Sequence, residues 1–186
     1  HTSCSQPIVL GDVIGNVMLV GYVGETGSAV LPPPVDPPVI DFGGIMLTTD
    51  APFNSANIGV DADTPTGPLA QLGQKVTWTY VVSNPGGVPL TIDSVFDDNE
   101  TAPLPGDGAD DFEPAPVLKG NGFNFGDDND NGLLDPSEVW YFQAMEIASE
   151  AGQHQNTAKV KAQDGSGTMV MDTDTSSHIV NPIQFE

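Results

Sequence analysis

Alternating apolar and polar residues predict β-strands in the part of the chain that follows residue 74. The segment KVTWTYVVSN, residues 75–84, places four apolar side chains on one face of a strand: Val76, Trp78, Tyr80 and Val82. The segment NTAKVKA, residues 156–162, alternates small apolar residues with Thr157, Lys159 and Lys161. A period of two residues is typical of strands with one face buried and one face in water. Both segments are therefore predicted to be half-buried antiparallel strands.

Further strands are predicted where apolar runs lie between turn sequences. These runs lie near residues 44–49, 88–96, 139–147 and 168–180, and NPGG, GDGADD and GNG supply the turns. The run at 139–147, VWYFQAMEI, is also compatible with the start of a helix, but its β-branched and aromatic residues favour a strand. Together these predicted strands and turns indicate an all-β sandwich.

The N-terminal segment has a different pattern. IVLGDVIGNVMLVGYVG, residues 8–24, is apolar on both faces of any strand that it forms, so it requires burial on both faces. LPPPVDPPV, residues 31–39, contains five prolines and predicts a stiff extended connector. We therefore divide the chain into a strand arm (1–31), a Pro-rich connector (32–39) and a β-sandwich domain (40–186).

Such an arm suits donation to a neighbouring subunit. Insertion of a strand into the sheet of a second copy is a mode of β-augmentation, and head-to-tail insertion generates an open polymer. Seven apolar residues would form the assembly strand: Ile8, Leu10, Val13, Val17, Leu19, Val20 and Val23. The alternative is that the arm folds back onto its own sandwich.

The composition is strongly acidic. Four Lys and no Arg oppose 26 Asp plus Glu, which gives a formal net charge of -22 at pH 7. Nucleic acid and anionic membranes are excluded as partners, because binding them requires clustered Lys and Arg. No apolar run reaches the ~18 residues of a spanning helix, so no membrane span is predicted. Cations are the expected partners, because bound cations relieve the repulsion among carboxylates.

The chain begins with His1 rather than Met, which indicates a processed product and predicts a secreted protein, extracellular or at the cell surface. The single cysteine, Cys4, cannot form an internal disulfide; it is expected to be an unpaired apolar residue or to pair with another chain. Asn99-Glu100-Thr101 matches the N-glycosylation pattern. Without disulfides, bound calcium is the expected stabiliser.

A calcium-loop pattern occupies residues 127–138, within GDDNDNGLLDPSE. The EF-hand pattern D-x-[DN]-x-[DN]-G-x5-E is satisfied at every fixed position. Six residues are predicted ligands, one of them through its backbone carbonyl: Asp127, Asn129, Asn131, Leu133, Asp135 and Glu138. Ca²⁺ takes oxygen ligands, and Gly132 permits the sharp bend that turns alternate residues inward. The alternative is an Asx-rich turn that binds nothing.

The surroundings of this loop differ from those of an EF-hand. The preceding KGNGFNFG has three glycines and predicts no entering helix, so the loop is placed between strands with a structural role. Leu134 is predicted to turn toward the core. A second metal site, or a solvated loop, is predicted from four acids: Asp97, Asp98, Asp110 and Asp111. Two further pairs, Asp61 with Asp63 and Asp172 with Asp174, are predicted to lie outward on strands or turns.

Three motifs, taken in order, resemble the immunoglobulin-like repeat of many prokaryotic surface proteins. They are VTWTYVVSNPGGVPLTIDSVFDD, GDDNDNGLLDPSEVWYF and NTAKVKAQDGSGTMVMDTDT, and the resemblance covers residues 74–176. It does not cover the arm, and the insertion at 101–116 departs from the pattern. The resemblance implies an immunoglobulin-like antiparallel β-sandwich with an adhesive or scaffolding role rather than catalysis.

Three functions are compatible with these features. The leading hypothesis is a secreted structural subunit of an extracellular filament, tube or surface array, a homopolymer joined by strand donation and stabilised by calcium. The second is a monomeric calcium-rigidified adhesin or module that binds polysaccharide or other surface proteins, although Trp78, Trp140 and Tyr141 are expected to pack inside. The third is a copper monooxygenase using His1 with His154 or His178. Hydrolase and phosphate-loop motifs are absent, so we predict no enzymatic activity.

Overall fold

The computed structural model describes residues 35–47, 52–100, 108 and 110–182. All of them belong to the second of the two units into which the chain divides, and the division after Pro33 falls within the predicted connector. The assembly strand from Ile8 to Val23, together with His1 and Cys4, lies outside the described residues. The strand arm therefore stays a prediction.

Eight strands make up the regular structure of the described residues. They are β1 (Val39–Leu47), β2 (Leu69–Gln71), β3 (Lys75–Ser83), β4 (Leu90–Asp97), β5 (Ala115–Pro116), β6 (Val139–Ile147), β7 (Gly152–Asp164) and β8 (Met169–Asn181). Within these ranges there is no helix long and apolar enough to cross a membrane. The all-β prediction is confirmed, and the ambiguous run at 139–147 is strand β6.

The strands form two four-stranded sheets packed as a sandwich. One sheet has the order β1-β3-β6-β5 and the other has the order β2-β8-β7-β4. Neighbouring strands are antiparallel except for β2, which runs parallel to the end of β8 through Leu69 opposite Ile179 and Gln71 opposite Asn181. The predicted antiparallel arrangement thus describes every strand pair in the described ranges except this short one.

The core lies where the predicted apolar faces of β3 and β7 meet. All of the apolar positions predicted to face inward are buried: Val76, Trp78, Tyr80, Val82, Ala158, Val160 and Ala162. Trp140 is buried as predicted, whereas Tyr141 is half-buried. Thr77 and Thr79 on the opposite face of β3 are also buried, and Gln143, which lies beside Thr79 on β6, donates a hydrogen bond to the Thr79 hydroxyl at 3.1 Å.

Two expectations about charged residues are wrong. Lys159, expected in water, is 8% exposed, because it lies between Phe96 of β4 and Thr173 of β8, where its aliphatic stem can pack. Asp172 and Asp174 were expected to face outward. They lie directly opposite Val160 and Ala158 and therefore share the core-facing side of the sheet, half-buried at its rim.

Among the described residues, the outer edge of β8 is paired with another strand over only part of its length, and it is called here the incomplete edge. Its far side pairs with β2 only over Ile179–Asn181, and the Ser177 amide donates to the Ala62 carbonyl at 2.8 Å. From Met169 to Ser176, no strand in the described ranges pairs with this edge. Strand β1 contacts β8 without pairing with it.

Candidate functional site

The predicted calcium loop lies between β5 and β6 and is attached to the start of β4. Leu134 is fully buried, as predicted, and exchanges two backbone hydrogen bonds with Leu90 at 3.0 and 2.8 Å. Asn84 adds a second attachment, since its side-chain amide donates to the Leu134 carbonyl at 2.8 Å and its own carbonyl accepts from the Ser137 amide at 2.9 Å. The loop is thus fixed to both sheets of the sandwich.

Asp127 organises the first half of the loop from a fully buried position. Its Oδ1 accepts the Asn131 amide at 3.2 Å and its Oδ2 accepts the Gly132 amide at 2.8 Å. Gly132 has a φ of 76°, which is the left-handed bend that the pattern requires of a glycine. The backbone therefore curls around the carboxylate at position one.

Glu138 closes the second half. It is 7% exposed, and its Oε1 accepts the Asp128 amide at 2.9 Å. Its Oε2 accepts the Asp135 amide at 3.0 Å and the Trp140 indole N–H at 3.2 Å. One buried carboxylate thus joins positions two and nine of the loop to the core-facing Trp140.

Asp135 is the meeting point of the remaining predicted side-chain ligands. The side-chain amides of Asn129 and Asn131 each donate to Asp135 Oδ2 at 2.7 Å. Their oxygens face the backbone instead, since Asn129 Oδ1 accepts the Asn131 amide at 3.1 Å and Asn131 Oδ1 accepts the Leu133 amide at 2.7 Å. The loop as described is closed by its own hydrogen bonds.

These residues fit a calcium ion on two conditions, a change of two side-chain amides and a contraction of the loop. A cation beside Asp135 needs the amide oxygens of Asn129 and Asn131 where their nitrogens now lie, and turning each amide over exchanges the two atoms. This exchange breaks the hydrogen bonds that the Asn131 and Leu133 amides donate to the two side-chain oxygens. Among the described residues, three ionisable side chains come within 4.8 Å of one another at two other places and not here, so the loop must also contract.

Lys119 supports the outer side of the loop. Its ammonium donates to the Asp127 carbonyl and forms an ion pair with Asp130 at 2.8 Å. Asn121 donates to the second Asp130 oxygen at 2.7 Å. The hydrogen bond to Asp130, with the charges of Asp130, Asp127 and Asp128, raises the pKa of Lys119. Sequence analysis missed this residue, whose only signal is a lone lysine before an acidic run.

The predicted second metal site is only partly assembled. The backbones of Asp97 and Phe112 exchange two hydrogen bonds, which brings the 110–111 turn close to Asp97. The Asp97 carboxylate is fully buried and accepts the Tyr80 hydroxyl at 2.6 Å and the Asn156 amide at 2.9 Å. Burial raises the pKa of Asp97 to about 6, although these donors lower it. A metal there would compete with Tyr80 and Asn156.

The other acids of that predicted site are held by backbone amides. Asp98 accepts the Thr157 amide at 2.8 Å and the Glu100 amide at 3.2 Å. Asp111 accepts the Gly108 amide at 3.0 Å, and Asp110 lies in the same turn. A metal bound by Asp97, Asp98, Asp110 and Asp111 stays a prediction.

Two histidines and a glutamate form a cluster that sequence analysis did not find. His154 of β7 and His178 of β8 are directly opposite, and their rings stack with centroids 4.9 Å apart. His154 Nδ1 lies 2.7 and 2.6 Å from the two Glu100 oxygens, and its Nε2 lies 3.0 Å from the Glu150 carbonyl. Both histidines had been considered only as partners of His1. No short-range pattern links Glu100 to His154, 54 residues away.

The two histidines differ in protonation. Burial acts to lower the pKa of His154, but the hydrogen bonds to Glu100 and the Glu150 carbonyl, with the charges of Glu100 and Glu146, raise it above its ordinary value. Burial, followed by the charge of His154, lowers the pKa of His178 to about 4. His178 is therefore neutral at physiological pH.

An acidic rim lies beside the incomplete edge of β8. The carboxylates of Asp41, Asp61 and Asp63 come within 4.8 Å of one another. The pKa of Asp63 is raised to about 6 by its hydrogen bond with Asp61, by burial and by the charges of Asp174, Asp61 and Asp41. Exposed acids of this kind do not by themselves indicate a metal, but they concentrate negative charge at the edge.

Comparisons with known proteins reach only the start of the chain. Residues 1–22 match a family described as a domain of unknown function (DUF7467). The matched residues lie outside the described part of the chain and outside residues 74–176, where the immunoglobulin-like resemblance was drawn. No curated protein matches the chain.

Proposed function

We propose that the chain is a secreted structural subunit of an extracellular or cell-surface assembly, in which a strand from one copy adds to the edge of β8 in the next. The observation that carries this proposal is the incomplete edge from Met169 to Ser176 within the described residues. An edge presents a row of backbone N–H and C=O groups, which an added strand can pair with.

The arm of a second copy is the occupant that suits this edge. Met169 and Met171 of β8 are 51% and 56% exposed on its outer face, and unbranched thioether side chains adapt to varied apolar partners. A donated strand needs one apolar face toward the sandwich rim and another toward these methionines. Residues 8–24, apolar on both faces, meet both needs.

The acidic rim makes this pairing depend on cations. Charged residues that point inward at an edge discourage strand addition, and the half-buried Asp172 and Asp174 have this position. A net charge of -22 adds repulsion between subunits. Calcium and added salt are therefore expected to promote assembly.

Calcium has a second, structural role in the proposal. An ion in the loop at residues 127–138 would stiffen the connection between the start of β6 and Leu90 at the start of β4. Its expected affinity is that of extracellular modules, with a Kd of roughly 10⁻⁴ to 10⁻³ M.

Electron microscopy of the full chain, with calcium and with excess chelator, tests the assembly. We expect calcium-dependent polymers for the natural sequence, and none for an arm variant carrying Val17→Asp and Leu19→Asp. Met171→Lys at the edge should also prevent polymers, whereas Met145→Lys, at a residue 64% exposed on the other sheet, should not. Monomers of the natural chain in every condition would overturn the proposal.

A second candidate, the adhesion module, is favoured by an aromatic cluster beside the loop. The rings of Phe53, Phe125 and Tyr141 lie 5.1 to 6.0 Å apart, and Phe125 is 44% exposed. Aromatic faces of this kind bind sugars and apolar side chains. Saturable polysaccharide binding that Phe125→Ala abolishes would support this function for a chain that stays monomeric.

A further inference from the structure

The stacked histidines have the placement of a cross-strand ligand pair. Directly opposite residues of antiparallel strands have Cβ atoms about 4.5–5.5 Å apart, so two imidazoles can approach one ion. The ring centroids of His154 and His178 are 4.9 Å apart with planes 19° from parallel. Continuous pairing of β7 with β8 on both sides of these residues fixes their backbones.

Glu100 brings a carboxylate to the pair. One ligand atom from each of Glu100, His154 and His178 lies within 4.8 Å of the others. The Glu100 amide is held by Asp98, which also accepts the Thr157 amide of β7. The turn that carries the carboxylate is thus attached to the strand that carries His154.

His178 lies between the core and a cavity. The residue is 4% exposed, and its ring packs against the rings of His154 and Trp78. It lines a cavity of about 330 Å³ together with His154 and Glu100.

Trp78 packs beside the cluster with an indole N–H that is unpartnered within the described ranges. Trp78 Nε1 is buried with no hydrogen bond among the described residues, and the Trp78 ring packs edge-on to His178 at 5.7 Å. Trp78 also lines the cavity, as do Glu146 and Glu150. Glu146 and Glu150 therefore add negative charge around the three clustered side chains.

The geometry points to a binding site for a divalent transition-metal ion of the zinc class, with His154, His178 and Glu100 as ligands. Two imidazole nitrogens and one carboxylate oxygen suit Zn²⁺, which bonds nitrogen at ~2.0–2.1 Å and leaves a fourth position open when it has three protein ligands. That position would face the cavity that the three side chains line. For an ion to bind both groups, the hydrogen bond between His154 Nδ1 and Glu100 must open, whereas His154 Nε2 can keep its contact with the Glu150 carbonyl.

This site differs from the two metal sites considered from the sequence. Calcium prefers oxygen ligands and belongs to the loop at residues 127–138. The copper hypothesis required His1, whereas all three ligands of this site are described residues. The competing explanation is structural: Glu100 and His154 form an ion pair, and His178 is a neutral core residue stacked on it.

Calorimetric titration of the full chain with Zn²⁺, after chelator treatment and in the presence of calcium, distinguishes these explanations. We expect one Zn²⁺ per chain that calcium does not displace. His154→Gln and Glu100→Gln should weaken Zn²⁺ binding by about tenfold or more, since loss of supporting groups alone costs ~10–100-fold. His1→Gln is the matched control and should bind as the natural chain does.

Co²⁺ supplies a readout that an ion pair cannot imitate. In the natural chain it should give the visible absorption bands of a low-coordinate nitrogen and oxygen site, and these bands should be lost in His154→Gln. Circular dichroism checks that each variant is folded. If His178→Gln does not fold, the variant at the more exposed His154 tests the site in its place. Absence of saturable Zn²⁺ binding, or equal binding by folded His154→Gln, would overturn the site.

Discussion

At the residue scale, buried carboxylates in this protein are held mainly by neutral donors. Asp97 accepts a phenol and an amide, Asp127 accepts two backbone amides, and Glu138 accepts two backbone amides and an indole. With four lysines against 26 acids, ion pairs cannot serve most carboxylates. Hydrogen bonds to a buried charge contribute more to stability than neutral ones, so these donors are sensitive positions.

Tyr80→Phe tests this dependence. Removing the hydroxyl takes from the buried Asp97 a hydrogen bond of 2.6 Å, and we expect the free energy of unfolding to fall by about 1–3 kcal/mol. Urea denaturation followed by tryptophan fluorescence measures the change. Tyr141→Phe, at a half-buried tyrosine, is the control, and a change within about 0.5 kcal/mol is expected there. Equal losses in the two variants would contradict the role of the Asp97 contact.

At the element scale, the loop at residues 127–138 combines fixed ends with an adjustable centre. Leu134 and Glu138 are buried, whereas Asn129, Asn131 and Asp135 hydrogen-bond to one another near the surface. Binding an ion would therefore rearrange the amides at the centre and leave the attachments to β4 and β6 in place. Asp135 accepts hydrogen bonds from both amides, so it is the residue whose contacts change most in that rearrangement.

Asp135→Asn is expected to remove calcium-dependent stabilisation. At calcium about ten times its Kd, the natural chain should gain ~1.4 kcal/mol in the free energy of unfolding, and the variant should gain less than half of that. Thermal melts with calcium and with chelator measure the gain. Asp128→Asn, at the non-ligand second position, should respond as the natural chain does. An unchanged gain in Asp135→Asn would exclude this loop as the site.

Glu138→Gln is a less selective variant. It is also expected to weaken calcium binding and assembly. However, three N–H groups donate hydrogen bonds to the Glu138 carboxylate, and the Gln NH₂ group, itself a donor, cannot accept them. Glu138→Gln should therefore lower the free energy of unfolding even with chelator present. Asp135→Asn should change that free energy little under the same condition.

Gly126 sets the entry to the same loop. A Cβ at this position would collide with the backbone carbonyl of Val139 at the start of β6, whereas a Cβ on Gly165 would meet no atom within 4 Å. We expect Gly126→Ala to lower the free energy of unfolding by about 1–3 kcal/mol or more, because the backbone must move. Chemical denaturation should show the free energy of unfolding of Gly165→Ala within about 0.5 kcal/mol of that of the natural chain. Comparable losses in Gly126→Ala and Gly165→Ala would contradict the predicted collision at Gly126.

Elements with their own periodicity were predictable, and those defined by distant partners were not. Strands β3, β6 and β7 and the buried faces of β3 and β7 follow from residues two apart, and Leu134 was recognised by its place in the loop pattern. Strands β2 and β5, with three and two residues, exist only through their pairing with β8 and β6. The cluster of Glu100 with two histidines likewise depends on strand register, which no local pattern encodes.

At the scale of the whole molecule, negative charge accumulates beside the incomplete edge of β8, in the sheet β2-β8-β7-β4. Asp41, Asp61, Asp63 and Asp174 come from β1, from the segment before β2 and from β8, so only the closed sandwich brings them together. Their repulsion opposes folding and strand addition alike. Neutralising any one of them should therefore favour the folded chain.

Asp63→Asn tests this repulsion through its pH dependence. The pKa of Asp63 is raised from 3.8 to about 6 by its hydrogen bond with Asp61, burial and nearby charges, so the folded chain binds this proton more tightly than the unfolded chain. The stability linked to that proton is complete at low pH and is lost as the pH rises through about 6. We expect the variant to have the higher Tm at pH ~8, with a gain that fades toward pH ~4.

Asp36→Asn, at an exposed residue before β1, serves as the control for the change in net charge. Calorimetric melts across this pH range measure both variants. A gain in Tm that is independent of pH, or equal in the two variants, would locate the effect in overall charge rather than in the rim.

The long hairpin of β7 and β8 has a consequence for the order in which the molecule forms. Twelve residue pairs join these strands without an irregularity, around a turn in which Asp164 Oδ1 accepts the Ser166 and Thr168 amides. Contacts close in sequence need little loop-closure entropy, whereas the attachment of Asn84 to Leu134 spans 50 residues. We therefore expect the hairpin to form early in folding, so that His154 faces His178 before the rest of the sandwich surrounds them.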